Sequence, residues 1–377
     1  MKGRRILIVS RDPGGTNAIM PLIEPLRVLG NEVSVYGKDL ALSIYQKQNI
    51  DCSDIYDIMP SGTQGETDKF VRKTRPDLIL TGTSSEDFTE RYLWRAAEKA
   101  GIPSFAVLDQ WTNYRLRLIS ESDDPMSGRV RSELIVPSVF FIMDEFAMKE
   151  MCALGIDRGK LVVSGQPFFD HIRNTGDRFT TSEVERLRRE LTGALGGLVF
   201  VFASQPIASL HRINGMAEDY WGYTEETVLQ SVLKCLSKLT EEMATRVTLA
   251  IRLHPKDERT VYQNALATLP NSIRVVVDRE TDSSLLLKAS DLIIGMFSML
   301  LLEAAILERR FISVQIGLKR ENPLIFDRMG LVRSIVTDDE LEETLRGILN
   351  GQGWEAPNLT FKFGATERIT NYLEGYR

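Results

Sequence analysis

The sequence predicts a two-domain α/β protein in which each half of the chain builds a doubly wound parallel sheet. Its 377 residues correspond to two or three domains at about 150 residues each. In the first half, short β-branched runs alternate with longer helical patterns, which is typical of a parallel sheet covered by helices. The second half repeats this alternation without a visible sequence repeat. We therefore expect two Rossmann-like domains that face each other across a cleft.

Six runs in the first half have the length and apolar character of strands. They cover residues 5–10, 32–36, 77–81, 104–108, 139–142 and 160–163. Two longer segments have the spacing of helices: residues 86–100, followed by Gly101, and residues 143–154, followed by Gly155. These elements predict a first domain at residues 1–172.

The second half carries five predicted strands and five amphipathic helices. The strands are residues 198–203, 247–253, 273–277, 292–295 and 311–314, and the helices are residues 224–243, 260–269, 283–289, 299–307 and 338–349. They predict a second domain at residues 179–360, joined to the first by a polar linker at residues 173–178. A last helix at residues 366–376, within 361–377, has no strand after it, so we expect it to pack back across the domain boundary.

Composition excludes several classes of protein. The net charge is −6, 43% of residues are hydrophobic and 26% are charged, which is typical of a soluble globular protein and gives no general attraction to nucleic acid or anionic lipid. The three cysteines form no Cys-x-x-Cys pair, which argues against a disulfide framework or a structural zinc site. The apolar run at residues 6–9 is too short for a signal peptide, and no transmembrane run occurs. We expect a cytoplasmic protein, and this expectation is compatible with peripheral association with a membrane.

Ligands of open α/β sheets bind beyond the carboxyl ends of the strands, so the residues there are the candidates for chemistry. The first such segment, residues 11–17, follows the first strand and contains Gly14, Gly15 and Asn17. The glycines allow a tight turn with N–H groups for an anion or a sugar hydroxyl, and Thr16 is a candidate helix cap. Pro21 and Pro25 are expected to delay or kink that helix, and a merely structural turn is the alternative.

The second segment, residues 109–117, follows the predicted strand at 104–108. It combines carboxylate, amide, guanidinium and aromatic groups, namely Asp109, Trp111, Asn113, Tyr114 and Arg117. A flat ring can pack on the C–H face of a pyranose while polar groups bind its hydroxyls. The segment therefore predicts a sugar site, with a surface loop anchored by a half-buried tryptophan as the alternative.

The third segment ends an apolar strand with Arg252, His254 and Lys256 at alternate positions. Alternate residues share one face while strand geometry lasts. Three side chains on one face that can carry positive charge or donate hydrogen bonds would suit an anion, so this segment predicts a phosphate site.

The fourth segment is a buried strand, a short turn and a helix that starts near Ser298. A helix N-terminus and a serine hydroxyl can bind phosphate without added charge. Glu303 interrupts the apolar face of this helix, where ribose hydroxyls would be suitable partners for a carboxylate. The alternative is an N-capped core helix with Glu303 reaching solvent.

A fifth segment begins with Ser204, Gln205 and Pro206 and continues as a long loop over residues 207–223. The loop carries Tyr220, Trp221 and Tyr223. A lid and a local aromatic mini-core are both compatible with this pattern.

Together these motifs resemble the GT-B glycosyltransferases over nearly the whole chain. Residues 162–170 are similar to the Gly-x-Pro-x-x-Asp segment that ends the first domain in bacterial polymer transferases and in sugar-nucleotide 2-epimerases. Gln205-Pro206, His254-Pro255 and residues 298–303 resemble motifs of bacterial capsule Kdo, sialic acid and glycerophosphate transferases, with Met299 where some relatives carry a second serine. The resemblance implies that His254 and Ser298 bind the donor phosphate and Glu303 the ribose.

The leading hypothesis is a transferase that moves a sugar or polyol phosphate from a CMP-, CDP- or UDP-linked donor to a glycan or glycolipid acceptor. A UDP-sugar 2-epimerase or hydrolase, and a non-catalytic nucleotide-sugar binding protein, are the alternatives. The second domain would bind the donor and the first the acceptor, with Asp109 favoured over Asp12 as the base. No Asp-x-Asp triplet occurs, so we expect neither metal nor cofactor.

Overall fold

The chain divides into two compact units in the computed structural model, which describes residues 3–120, 134–209, 221–254, 257, 262, 273–352, 357 and 359–376. Unit 1 comprises Met1–His171 and Phe361–Arg377, and unit 2 comprises Ile172–Thr360. The chain passes from one to the other within the helix Pro167–Gly176. The segment predicted as a linker is therefore mostly helical.

Unit 1 is built on a parallel sheet of seven strands in the order β3-β2-β1-β4-β5-β6-β7. The strands are β1 (Arg5–Ser10), β2 (Glu32–Gly37), β3 (Ser53–Asp54), β4 (Leu78–Thr81), β5 (Ser104–Val107), β6 (Val139–Ile142) and β7 (Leu161–Val163). The helices before the chain leaves this unit are α1 (Pro13–Val28), α2 (Leu40–Lys47), α3 (Gln64–Thr74), α4 (Thr89–Ala100), α5 (Glu145–Ala153) and α6 (Pro167–Gly176). The strand order reverses between β1 and β4, which is the topological switch point of the sheet.

Unit 2 repeats the plan with five parallel strands in the order β10-β9-β8-β11-β12. The strands are β8 (Leu198–Ala203), β9 (Val247–Arg252), β10 (Ile273–Asp278), β11 (Leu292–Gly295) and β12 (Phe311–Ser313). The helices that lie wholly within its described residues are α7 (Thr181–Thr192), α8 (Glu225–Glu242), α9 (Ser283–Ala289), α10 (Met299–Ile306), α11 (Ile325–Arg328) and α12 (Asp338–Leu349). The switch point lies between β8 and β11.

Helix α13 (Ala365–Gly375) belongs to unit 1. Its Ile369 and Leu373 are fully buried in one core cluster with Ile6 and Ile8. The Arg4 guanidinium donates to the carbonyl oxygens of Leu373, Glu374 and Tyr376, where the helix dipole favours a cation.

Strand β1 illustrates why the strands of this protein are continuous apolar runs in the sequence. Ile6 and Ile8 point into a core layer that includes α1, while Leu7 and Val9 point into a second layer that includes α3 and α4. Because helices cover both faces of a parallel sheet, neither face requires polar residues.

The predicted fold class is confirmed, and all eleven predicted strands are present, each within one residue at either end. Strand β3 and several helices were not predicted. Helix α4 begins at Thr89 and not at residue 86, and the predicted helix at 260–269 lies outside the described residues. Helix α1 runs through Pro21 and Pro25, because burial of its apolar face outweighs the lost hydrogen bonds.

Candidate functional site

The switch point of unit 1 brings Asp12 next to Ser84. Asp12 follows β1 and is the N-cap residue of α1, although its side chain makes no capping bond. One carboxylate oxygen accepts from the Ser84 hydroxyl at 2.7 Å, and the other accepts from Arg11 at 2.9 Å. The Asp12 side chain is 26% exposed. It is therefore an oriented carboxylate that solvent and a ligand can reach.

Asp109 follows β5 and is buried, with 3% exposure. Its Oδ1 accepts from the Thr83 hydroxyl at 2.7 Å and pairs with the Arg117 guanidinium at 3.1 Å. The Gln166 amide donates to its backbone carbonyl at 3.1 Å. Asp109 therefore joins the segment after β5 to the segments after β4 and β7 within the interior of unit 1.

Gly14 and Gly15 lie in the first turn of α1 and not in a turn before it. A Cβ on Gly15 would come within 2.8 Å of the Thr83 backbone, and a Cβ on Gly82 would come within 2.7 Å of Gly15. Thr16 is also inside the helix, where its hydroxyl donates to the Asp12 carbonyl oxygen at 2.9 Å, so the expected Thr16 cap is wrong. These residues let α1 and the segment after β4 approach closely.

The structure gives the Trp111 ring a packing role. It is 5% exposed, stacks on Phe169 with ring centroids 5.9 Å apart, and its N–H donates to Asp144 at 2.7 Å. This arrangement matches the tryptophan-anchor alternative, and little of the ring remains for a sugar.

The other predicted sugar-binding residues of unit 1 differ in how exposed they are. Tyr114 and Arg117 are buried, Asn17 is half-buried on α1, and Asn113 is exposed. Asn113 has a φ of 57°, a left-handed conformation that asparagine tolerates better than most residues. Of this set, Asn17 and Asn113 retain accessible surface.

Glu90, in the first turn of α4, is a buried acid that the sequence analysis missed. It is 2% exposed, and among the described residues neither carboxylate oxygen has a hydrogen-bond partner. Burial raises its pKa to about 8; the charges of Asp87 and Asp12 add to the rise, and Arg91 opposes it. Glu90 is therefore mostly protonated at neutral pH. The sequence signal that could have identified Glu90 as buried is its position on the apolar side of the predicted helix at residues 86–100.

The Gly-x-Pro-x-x-Asp segment fastens the returning C-terminal segment to unit 1. Gly165 has a φ of 79°, which favours glycine, and Pro167 begins α6. The Asp170 carboxylate accepts from the backbone N–H groups of Gly364 and Thr366 at 2.7 and 2.9 Å. Asp170 thereby holds the start of α13.

The switch point of unit 2 joins two of the predicted donor motifs. The Gln205 side chain, after β8, accepts from the Phe297 backbone N–H, after β11, at 2.9 Å. Ser298 is the N-cap of α10 and accepts from the Leu300 N–H at 3.1 Å. The Ser298 hydroxyl oxygen therefore caps the helix. The hydroxyl proton is still available, because a hydroxyl group that accepts a hydrogen bond can also donate one. Met299 is half-buried in the first helical position.

Glu303 is partly buried on α10, and no hydrogen bond of its carboxylate occurs within the described part of the chain. Burial raises its pKa to about 7; the Arg252 guanidinium opposes the rise, and the Asp282 carboxylate adds to it. Arg252 itself is paired with Asp278 at 2.5 Å. The strand ends thus combine a paired arginine with a carboxylate whose charge changes near neutral pH.

His254 lies two residues beyond β9, and its backbone N–H donates to the Asp257 carboxylate at 3.0 Å. Lys256, the third member of the predicted phosphate cluster, lies outside the described residues. Strand geometry ends at Arg252, so strand alternation does not place Arg252 and His254 on a common face as expected.

The aromatic residues of the fifth segment pack locally where the structure describes them. Trp221 contacts Phe297 with ring centroids 5.1 Å apart, and the buried Tyr223 hydroxyl donates to Gln315 at 2.7 Å. This agrees with the mini-core alternative for these two rings. Residues 210–220, including Tyr220, lie outside the described residues.

The described residues contain no cluster of three or more His, Cys, Asp or Glu side chains arranged to hold a metal ion. Within the same residues, no helix combines the length and apolar character needed to cross a membrane.

No known protein-family model matches the chain, and no curated protein matches it in sequence. Solved structures do match it over almost its full length. UDP-GlcNAc 2-epimerase from Neisseria meningitidis, bound to UDP-GlcNAc, has 12% identity and a TM-score of 0.68, covering 99% of this chain and 100% of that one. The enzyme of the same name from Methanocaldococcus jannaschii has 16% identity and a TM-score of 0.66, covering 99% of each chain. The glycosyltransferase of kitacinnamycin has 14% identity and a TM-score of 0.56, covering 99% and 98%.

At these identities the likeness shows the fold. The chain has the two Rossmann-like α/β domains of the GT-B architecture, as its motifs predicted. The matching structures include both epimerases and glycosyltransferases.

Proposed function

We propose that this protein acts on a nucleotide-activated sugar and transfers the sugar or polyol phosphate to a glycan or glycolipid acceptor. The observation that supports this most is the meeting of the Gln205 segment with the Ser298 segment at the switch point of unit 2. Ligands of open α/β sheets bind at such points. A CMP-, CDP- or UDP-linked donor has the phosphate and ribose that these residue types can bind.

Unit 2 is the proposed donor-binding unit. Phosphate oxygens would accept hydrogen bonds from Ser298, His254 and the N-terminal N–H groups of α10. The Glu303 carboxylate would accept hydrogen bonds from ribose hydroxyls, and Gln205 would hold the turn before Ser298 in place. Arg252 contributes as the charge next to Glu303, because its own guanidinium is already paired with Asp278.

Unit 1 supplies the proposed base, since an acceptor hydroxyl must lose its proton as it attacks a sugar carbon. The sequence favours Asp109, which lies within the polar and aromatic segment. The surroundings of the two carboxylates favour Asp12, because Asp109 is buried in an ion pair with Arg117 whereas Asp12 is accessible and oriented by Ser84. We therefore assign the base to Asp12 and propose that Asp109 holds the segments around it.

An epimerase or hydrolase is the second candidate, and a specific observation favours it. The epimerase structures match with TM-scores from 0.59 to 0.68, against 0.56 for the kitacinnamycin glycosyltransferase. Such a reaction requires an acid as well as a base and no acceptor. Asp12 would be the base in such a reaction too, because its carboxylate is accessible at the switch point of unit 1.

One experiment separates these functions. The purified protein is incubated with a panel of CMP-, CDP- and UDP-sugars, with and without acceptor glycans, and the products are analysed by mass spectrometry. Transfer that depends on acceptor supports the transferase. Epimerised or hydrolysed sugar nucleotide without acceptor supports the second candidate. Binding without turnover of any donor contradicts both enzymatic functions and leaves a nucleotide-sugar binding protein.

A further inference from the structure

The carboxylate of Asp257 connects the end of β9 to the end of β8. It is 7% exposed and accepts from the His254 backbone N–H at 3.0 Å. The same oxygen accepts from the hydroxyl of Ser204, the first residue after β8. Asp257 therefore fixes the turn that carries His254 against the neighbouring segment of the sheet.

The surrounding contacts keep this carboxylate in place. The buried Tyr262 hydroxyl is hydrogen-bonded to Ser204, and the Arg279 guanidinium donates to the Asp257 carbonyl oxygen. A buried carboxylate is costly unless its oxygens are hydrogen-bonded. The position of Asp257 is therefore defined by its partners.

Ser204 continues the connection to the third donor segment. It directly precedes Gln205, whose side chain accepts from the Phe297 N–H, and Phe297 directly precedes Ser298. Hydrogen bonds and adjacent residues thus lead from His254 to Asp257, Ser204, Gln205 and Ser298. Side chains therefore join the segments that follow β9, β8 and β11.

We infer that Asp257 is a positioning residue for nucleotide binding, which sets the place of His254 relative to Ser298. The inference rests on the proposed function and adds a residue that the donor motifs do not include. Asp257 acts through the backbone N–H of His254 and the hydroxyl of Ser204. It has no need to touch the nucleotide.

The test is a double-mutant cycle read by titration calorimetry with CMP, CDP and UDP. The four proteins are wild type, His254→Ala, Asp257→Ala and the double variant. His254→Ala should weaken binding roughly ten- to a hundredfold, the scale of one lost charge-assisted hydrogen bond. Asp257→Ala should weaken binding about tenfold in the wild-type background and by less than about twofold with His254→Ala, because residues that act as a unit are not additive.

Asp291→Ala is the matched control. The Asp291 carboxylate also joins two strands of this sheet, accepting from the Val199 N–H at 2.8 Å and pairing with Arg188 at 2.9 Å. It lies at the amino ends of β8 and β11, away from the donor segments. Asp291→Ala should lower the melting temperature and leave nucleotide affinity unchanged. Ser204→Ala, which removes the hydroxyl that donates to the same Asp257 oxygen, replaces Asp257→Ala if the alanine variant at 257 does not fold.

Three results would overturn the inference. If wild type binds none of the three nucleotides, the proposed function fails and the inference fails with it. If wild type binds and His254→Ala weakens binding while Asp257→Ala, or Ser204→Ala in its place, does not, only the inference fails. Losses that add fully in the double variant would mean that Asp257 does not act through His254.

Discussion

The carboxylate of Asp109 lies against the backbone of Gly14, so closely that a Cβ at residue 14 would be 2.1 Å from Oδ2. Thr83 and Arg117 hold that carboxylate, so it cannot move away freely. Gly14→Ala should therefore lower the free energy of unfolding by about 1 to 3 kcal/mol, as overpacking does. Thermal and urea denaturation measure the change. Gly65→Ala on α3 is the control, because no atom lies within 4 Å of a Cβ at that position. If both substitutions change the free energy of unfolding by an equally small amount, the close packing of Gly14 against Asp109 does not contribute to stability.

Asp12→Asn should reduce turnover roughly a hundredfold or more, the usual scale for loss of a general base. The substitution retains one acceptor for Ser84 and removes the proton-accepting charge, so donor affinity should stay close to wild type. Steady-state kinetics with the donor identified by the panel measure both. Asp109→Asn is the companion variant, and we expect it to lower the melting temperature because it breaks the pair with Arg117. If Asp109→Asn abolishes turnover while Asp12→Asn does not, the two roles are exchanged.

Nucleotide affinity should depend on pH through Glu303. Its pKa is raised to about 7 by burial, and only the ionised form accepts hydrogen bonds from both ribose hydroxyls. Affinity should fall as pH falls, by roughly tenfold between pH 8 and pH 6 if binding requires the anion. The measurement is the ratio of wild-type to Glu303→Gln affinity at each pH, because that ratio removes the titration of other groups. A ratio that does not vary with pH would count against a ribose contact.

The stability of unit 1 should depend on pH through Glu90. The ordinary pKa of 4.5 rises to about 8 on folding, so between these values the folded protein holds a proton that the unfolded chain has lost. Stability from this group is fully present below about pH 4.5 and falls as pH rises towards 8, by at most about 1.4 kcal/mol per pH unit. Glu90→Gln cannot ionise, so its melting temperature should exceed that of wild type by an increasing margin from pH 5 to pH 8. A constant margin would show that Glu90 titrates normally.

Turnover should persist in EDTA. The sequence lacks an Asp-x-Asp triplet, and helix N-termini and hydrogen-bond donors can stabilise a departing phosphate in place of a cation. Activity of metal-stripped protein is compared with the same sample after magnesium is restored. Strict dependence on magnesium would contradict the prediction.

The sequence predicted the strands well because helices cover both faces of each sheet. Residues 6–9 and 292–295 are continuous apolar runs for this reason, and their ends could be read within one residue. Helix starts were less predictable. Helix α1 begins at Pro13, since proline is favoured at the first helical position, and it continues through Pro21 and Pro25 because its apolar face is buried.

The strand-end positions of the candidate site residues were predictable from the sequence, and their contacts were not. Parallel strands place Asp12, Asp109, Gln205, His254 and Ser298 at carboxyl edges, and strand ends can be read from a sequence. The partners of these residues come from distant parts of the chain. Ser84 is 72 residues from Asp12, and Phe297 is 92 residues from Gln205.

By itself, the amino-acid sequence determined two α/β domains and the strand-end segments that carry the polar residues, because burial on both faces leaves a local pattern along the chain. Only the tertiary structure decided that the Trp111 ring packs on Phe169, that Glu90 is buried without a hydrogen-bond partner among the described residues, and that Arg252 pairs with Asp278. Burial and pairing depend on which distant segments fold against a residue. A single residue type at a strand end does not encode that environment.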